Sequence, residues 1–167
     1  MHLAEFNQAS ETDAKTFLKH CVQIESWTNQ LSAQRPYTSI EELLSQAKQQ
    51  AATWQWAEIK SALDNHPRIG EKKAQAHLSV QEQDFSNREQ ASITSDEETQ
   101  EALLAGNTAY EQKYGYIFLI KASGLNSQEV LQALRYRLMN DPDTEQRIVH
   151  QQLSEIALLR LMQELSA

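Results

Sequence analysis

Glycine and proline are scarce in this chain, which has four glycines and three prolines in 167 residues. Together they fall well below the roughly 12% found in average proteins. A β-sandwich or a doubly wound α/β fold needs more turns and glycine-rich loops than these numbers allow. The composition therefore favours helices joined by few turns. The length suits one domain of ordinary size, and we expect residues 1–167 to form a single domain.

Basic residues are also few, because 15 Lys and Arg face 23 Asp and Glu and leave a net charge of −8. An acidic chain repels phosphate backbones and anionic lipids, so we expect neither nucleic acid nor a membrane as a partner. No apolar run approaches the roughly 18 residues of a membrane span. The first residues show no secretory signal, and the single cysteine, Cys21, fits a reducing compartment. We expect a cytoplasmic protein.

Helix start and stop signals recur along the chain. Ser10 and Ser39 each open a capping box, with an acidic residue three positions later. Thr53 and Ser127 are predicted to cap two further helices. Other helical segments are predicted over Ser79–Gln90, from Thr94 to a stop at Gly115, and from Pro142 onward. The pattern predicts an all-α fold, a single-domain multi-helix bundle. The short apolar run Tyr116–Ile120 fits either a buried strand or a buried helical turn.

The last helix places an arginine within an apolar stripe. At about 100° per residue, Val149, Leu153, Ile156 and Arg160 lie on one face. A guanidinium group cannot deprotonate, so a buried Arg160 needs an anionic partner. The residues leave open a structural ion pair, a snorkelling side chain, or a clamp for a carboxylate or polarised carbonyl of a ligand. The apolar surroundings of this helix also predict a homodimer.

His66 lies in the clearest break of the helical pattern, Asn65–Gly70. Pro67 restricts the backbone there, and a pre-positioned imidazole suits general acid or base catalysis. A purely structural histidine at a helix end is the alternative.

Standard catalytic signatures are absent. The sequence has no zinc-protease or di-iron motif, no glycine-rich phosphate loop and no nucleophile elbow. Cys21 is not expected to be catalytic, because His20 beside it points about 100° away on a helix. Ser86, Glu89 and Gln90 could present hydrogen-bonding groups to a polar heterocycle, or could simply be solvated.

Motifs in a fixed order resemble those of the decarboxylases of 2-oxo-4-hydroxy-4-carboxy-5-ureidoimidazoline (OHCU), an intermediate of urate breakdown. His66–Glu71 resembles the family's His-Pro motif, and Ser86–Gln90 matches its Ser-x-x-Glu-Gln. Other matching segments follow in the family's order: Asn107–Tyr110, Lys113–Tyr116, Ile117–Ile120 and Leu159–Leu161. The resemblance covers roughly residues 10–165. Ala91-Ser92 and Tyr114 depart from the residues common in the family.

The resemblance implies an all-helical fold of the family's own type, usually a homodimer, with no metal or organic cofactor. The implied reaction removes the carboxylate of OHCU, a small anionic heterocycle, and gives (S)-allantoin. Carried over by motif, His66 and Glu89 would be the catalytic pair. The substrate would be bound by Pro67, Ser86, Gln90, the backbone at Ile120, and Arg160.

Two alternatives to this reaction remain at the level of the sequence. One is a non-catalytic helical ligand-binding or adaptor domain, in which Arg160 is a structural pair and His66 ends a helix. The other is an enzyme that acts on a related ureido or imidazolinone compound.

Overall fold

The computed structural model of the chain describes residues 1–70, 80–91, 93 and 96–166. These residues form nine α-helices and no β-strand, with one isolated bridge between His2 and Ser166. The all-α prediction is confirmed. None of the described helices is long and apolar enough to cross a membrane. The helices are α1 (Leu3–Gln8), α2 (Glu11–Cys21), α3 (Glu25–Ala33), α4 (Ile40–Ala51), α5 (Trp56–Leu63), α6 (Val80–Glu89), α7 (Glu97–Tyr114), α8 (Ser127–Arg137) and α9 (Pro142–Glu164).

Most of the predicted helix boundaries are confirmed. The Ser10 hydroxyl accepts the Asp13 N–H at 3.0 Å, and the Ser39 hydroxyl accepts the Glu42 N–H at 3.0 Å. Asp96 caps α7 by accepting the Thr99 N–H at 2.9 Å, and Gly115 ends that helix with a φ of +85°. This left-handed backbone conformation favours glycine. The predictions for Glu71, Ser79, Ser92, Thr94 and Ser95 fall outside the described residues.

Two predicted N-caps are wrong. The Thr53 hydroxyl donates to the Gln50 carbonyl at 2.7 Å, and α5 begins three residues later, where the Gln55 N–H donates to Glu58 at 3.0 Å. In α8 the capping side chain is that of Asn126, which accepts the Glu129 N–H at 2.9 Å. An amide oxygen caps a helix as well as a hydroxyl does, so the helix starts at Ser127, one residue earlier than a Ser127 cap requires.

The chain separates into two compact units. The first unit comprises Met1–Ala62 and Ser154–Ala167, and the second unit comprises Leu63–Leu153. The prediction of a single domain stays a prediction.

In the first unit, α3 packs against both α2 and α4. Trp27 of α3 is fully buried, and its indole N–H donates to the Ala47 carbonyl of α4 at 3.0 Å. The two ends of the described chain are hydrogen-bonded together. Leu3 N–H donates to the Ser166 carbonyl and Ser166 N–H to the Met1 carbonyl, both at 3.0 Å.

In the second unit, α7 packs closely against α8. Gly106 of α7 permits this approach, because a Cβ at that position would lie 2.3 Å from Cδ2 of Leu134 on α8. The segment Tyr116–Ile120 between these helices is neither a strand nor a helix. It contributes Phe118 to an apolar core whose buried members are Ile69, Leu103, Tyr110, Phe118, Ala122, Val130, Leu131 and Leu134.

Candidate functional site

The loop that carries His66 follows the end of α5. The His66 N–H donates to the Leu63 carbonyl at 3.0 Å, and the His66 and Pro67 side chains are half-buried. Two side chains of α7 bind the part of the loop that follows Pro67. Arg68 forms a bidentate pair with Glu111, at 2.9 and 2.7 Å, and Asn107 Nδ2 donates to the Ile69 carbonyl at 3.1 Å. The loop is therefore fixed to α7 by one ion pair and one hydrogen bond.

A further hydrogen bond joins this loop to the end of α6. The Gly70 N–H donates to Oε1 of Gln90 at 2.9 Å. Gln90 directly follows Glu89, the last residue of α6, and its own N–H donates to the Ser86 carbonyl at 3.0 Å. Ser86 is buried, with 2% of its surface exposed, whereas Glu89 is half-buried. The structure thus brings Gln90, the last residue of the Ser-x-x-Glu-Gln motif, to the loop that begins at His66.

Ile120 lies in the irregular segment that precedes α8. The carbonyl oxygen of the residue before it, Leu119, accepts Nη1 of Arg137 at 2.6 Å. The N–H of the residue after it, Lys121, donates to Oε1 of Gln152 on α9 at 2.8 Å. The peptide groups on both sides of Ile120 are therefore held by side chains from two different helices.

Arg137 belongs to a buried polar cluster behind this segment, formed by Arg137, Glu145, Tyr110 and Asn140. Glu145 has no exposed surface and Arg137 only 5%. The Glu145 carboxylate accepts Arg137 Nε at 2.7 Å, the Tyr110 hydroxyl at 2.6 Å and Asn140 Nδ2 at 3.0 Å. Burial, reinforced by the hydrogen bond to Glu145, raises the pKa of Tyr110 above its usual value.

Arg160 belongs to the first unit and is buried, with 4% of its surface exposed. The predicted burial of the stripe that also contains Val149, Leu153 and Ile156 is confirmed. Arg160 Nη1 donates to the Cys21 carbonyl at 3.3 Å. Burial raises the pKa of the Cys21 thiol to about 12, so this thiol stays protonated near neutral pH.

Sequence reasoning gave no role to several residues that organise the site. Arg68 and Asn107 lie within motifs that carry the family resemblance, and their place in those motifs could have indicated a role in the site. Arg137 and Gln152 stand in no motif, and only the folded structure shows what they bind. Within the part of the chain that the structure describes, no three His, Cys, Asp or Glu side chains are grouped to hold a metal ion.

Three curated relatives cover most of this chain. The 2-oxo-4-hydroxy-4-carboxy-5-ureidoimidazoline decarboxylase of Haloferax volcanii is 25% identical over 100% of this chain and 99% of its own length. The uric acid degradation bifunctional protein of Bacillus sp. (strain TB-90) is 27% identical over 98% of this chain. The corresponding protein TTL of Arabidopsis thaliana is 29% identical over 86% of this chain. The chain spans only 32% and 44% of the lengths of these two bifunctional proteins.

Two solved structures share the fold. A crystal structure of OHCU decarboxylase in the presence of (S)-allantoin superposes with a TM-score of 0.74 at 24% identity, covering 93% of this chain and 97% of that one. A crystal structure of (S)-allantoin synthase gives a TM-score of 0.73 at 16% identity, covering 99% of this chain and 54% of that one.

The family comparison agrees with both the helical fold and the ordered motifs. The pattern of the OHCU decarboxylase family matches residues 7–162, which is nearly the whole chain. The protein therefore belongs to the OHCU decarboxylase family.

Proposed function

We propose that the protein removes the carboxylate of OHCU to give (S)-allantoin, as a carboxy-lyase of urate degradation that works without a cofactor. The observation that carries the proposal is the hydrogen bond from Gly70 to Gln90. It ties the loop that begins at His66 to the helix end that carries Glu89, in a chain of this family. The names of the relatives, a decarboxylase of this compound and proteins of uric acid degradation, support the same reaction.

The chemistry requires little beyond positioned side chains. The bond between the ring carbon and the carboxylate breaks, carbon dioxide leaves, and the electron pair stays on the ring carbon until a proton arrives. Because the adjacent ring system delocalises this pair, no cofactor is needed as an electron sink. Catalysis then depends on the orientation of the carboxylate, stabilisation of developing charge and delivery of the proton to one face.

In this proposal His66 exchanges a proton with the hydroxyl or ring of the substrate. Glu89 biases the orientation and charge of the groups that react. The attachment of the loop to α7 through Arg68 and Asn107 supports a fixed position for the imidazole. Loss of a positioned acid–base group costs roughly 10²–10⁴ in rate.

The remaining predicted residues bind the substrate. Because Gln90 Oε1 accepts the Gly70 N–H, the amide NH₂ is the end that Gln90 would offer to a substrate oxygen. Pro67 and Ser86 shape the surroundings, and Ile120 contributes its main chain. The role of Arg160 in holding an anionic or carbonyl oxygen rests on the sequence resemblance.

We also propose that the protein is a homodimer in the cytoplasm. Apolar surface on the C-terminal helix supports a self-association surface, since Met162 is 52% exposed. The acidic composition and the single cysteine support a cytoplasmic location. Light scattering at micromolar concentration tests the dimer, and a monomeric mass would contradict it.

The decisive assay adds purified protein to OHCU freshly generated from urate, in metal-free buffer, and follows the circular dichroism of the product. The uncatalysed decay of OHCU gives racemic allantoin, so enantiomeric excess separates enzyme from background. We expect rapid formation of one enantiomer by the wild type and a loss of roughly 10²–10⁴ in rate for His66→Ala. His150→Ala, on α9, is the matched control and should retain activity.

The opposite results would point to the other candidates. Racemic product at the background rate would reject the decarboxylase and favour a ligand-binding domain. Normal turnover by His66→Ala would retain the reaction but remove His66 from its centre.

A further inference from the structure

We infer that Gln152 and Arg137 are positioning residues that orient the two peptide groups around Ile120 toward the substrate. The inference rests on the proposed function and adds two residues, one on α8 and one on α9, to the machinery that binds the substrate.

The first peptide group joins Leu119 to Ile120. It is trans, so the Ile120 N–H points opposite to the Leu119 carbonyl oxygen. That oxygen accepts Arg137 Nη1 at 2.6 Å. The guanidinium cannot swing away, because Glu145 binds its Nε at 2.7 Å and it stacks 4.5 Å from the centre of the Phe118 ring. The donor of Ile120 is therefore directed away from the buried cluster of Arg137 and Glu145.

The second peptide group joins Ile120 to Lys121 and is also trans. Its N–H donates to Oε1 of Gln152 at 2.8 Å, so the Ile120 carbonyl points away from Gln152. Gln152 is half-buried on α9. This bond is the single one that the Gln152 side chain forms with the described residues.

The N–H and the C=O of Ile120 are therefore both oriented by side chains that bind the neighbouring peptide atoms. Neither the N–H nor the C=O of Ile120 has a hydrogen-bond partner within residues 1–70, 80–91, 93 and 96–166. One fixed donor and one fixed acceptor match a ligand group in which C=O and N–H are neighbours, as in a ureide ring or a ureido chain. Groups that are already oriented lose little freedom on binding, which favours affinity.

Gln152 offers the sharper test, because replacing Arg137 would leave the Glu145 charge buried without its partner. Gln152→Met keeps the length of the side chain and its helix propensity but removes the acceptor of the Lys121 N–H. Gln152→Glu keeps an acceptor oxygen. Gln132→Met, at an exposed position of α8, is the matched control.

We expect Gln152→Met to lower kcat/KM for OHCU by about fivefold to tenfold, the loss that one hydrogen bond explains. Gln152→Glu should restore most of it, and Gln132→Met should match the wild type. A second readout is the ¹⁵N-resolved amide shift of Ile120 during titration with (S)-allantoin. The Ile120 amide shift should change in the wild type, and in Gln152→Met it should change only at higher (S)-allantoin concentrations. Loss of stability alone would lower the melting temperature and leave this titration unchanged.

Two results would overturn the inference. One is Gln152→Met matching Gln132→Met in both readouts, and the other is an Ile120 amide that ignores (S)-allantoin in an enzyme that turns over OHCU. Failure of the proposed function looks different. The wild type would then leave OHCU to its background decay, and an Ile120 response that weakens in Gln152→Met would still support the orienting role.

Discussion

Removing the charge of Arg137 tests how the second unit tolerates a buried ion pair. The change Arg137→Met leaves Glu145, which has no exposed surface, as an uncompensated buried charge. Breaking one side of such a pair lowers the free energy of unfolding by about 3–5 kcal/mol. The reciprocal change Glu145→Leu should cost a similar amount, because it strands the guanidinium instead.

The double variant Arg137→Met/Glu145→Leu removes both charges together. What then remains is a Leu119 carbonyl and a Tyr110 hydroxyl without these partners, at about 1–3 kcal/mol each. We therefore expect the double variant to be about as stable as either single variant. The coupling free energy should be about 2 kcal/mol or more.

Urea unfolding at low temperature gives the free energy of unfolding of the wild type, the two single variants and the double variant. Sucrose is added so that the single variants stay folded. The matched control is the Lys15–Glu11 pair on α2, whose side chains are 28% and 72% exposed. Its coupling should stay below about 1 kcal/mol. Additive losses for Arg137 and Glu145 would show that neither charge depends on the other, and would refute the reasoning.

Two further predictions concern stability. Gly106→Ala should lower the melting temperature. The new methyl group would clash with Leu134 at a cost of about 1–3 kcal/mol, whereas the gain in helix propensity is about 1 kcal/mol. A higher melting temperature would mean that α7 and α8 separate at little cost in free energy. The second prediction concerns stability at alkaline pH. Burial raises the pKa of Tyr37 to about 12, so the native state keeps the phenol proton that the unfolded state releases near pH 10. The stabilisation is present below pH 10 and is lost as the pH rises toward 12. Urea titrations at pH 8 and 11 should show a smaller drop in Tyr37→Phe, and an equal drop would contradict the assignment.

Local signals predicted much of the helical fold because helix starts depend on nearby residues. Ser10 and Ser39 cap their helices as expected, since the capping oxygen and its N–H lie within the same turn. The same logic failed at Thr53, where the Gln50 carbonyl competes successfully for the hydroxyl. Helix α1 was missed because its six residues bury only Phe6 and therefore show no periodicity.

The sequence named candidate site residues from local motifs, but it did not predict the hydrogen bonds that hold their surroundings. The His-Pro loop and the Ser-x-x-Glu-Gln turn are local motifs, so the resemblance located His66 and Glu89 by number. The bonds of Arg137 to Leu119 and of Gln152 to Lys121 cross 18 and 31 positions of sequence. Partners at such separations are chosen by tertiary packing, and a single sequence carries no record of that choice.

The hydrogen bonds between the two ends of the described chain allow residues 1–166 to be joined end to end in a circular permutant. Met1 and Ser166 already lie side by side, so a short flexible linker would join them without distorting α1 or α9. New ends could be opened between Ser123 and Gly124, an exposed turn ahead of α8. In such a permutant the order of the helices along the chain would change while their neighbours in space would not. The contact between Met1 and Ser166 would then become local in sequence, and the contact between α7 and α8 would span the whole chain, which should change the folding rate.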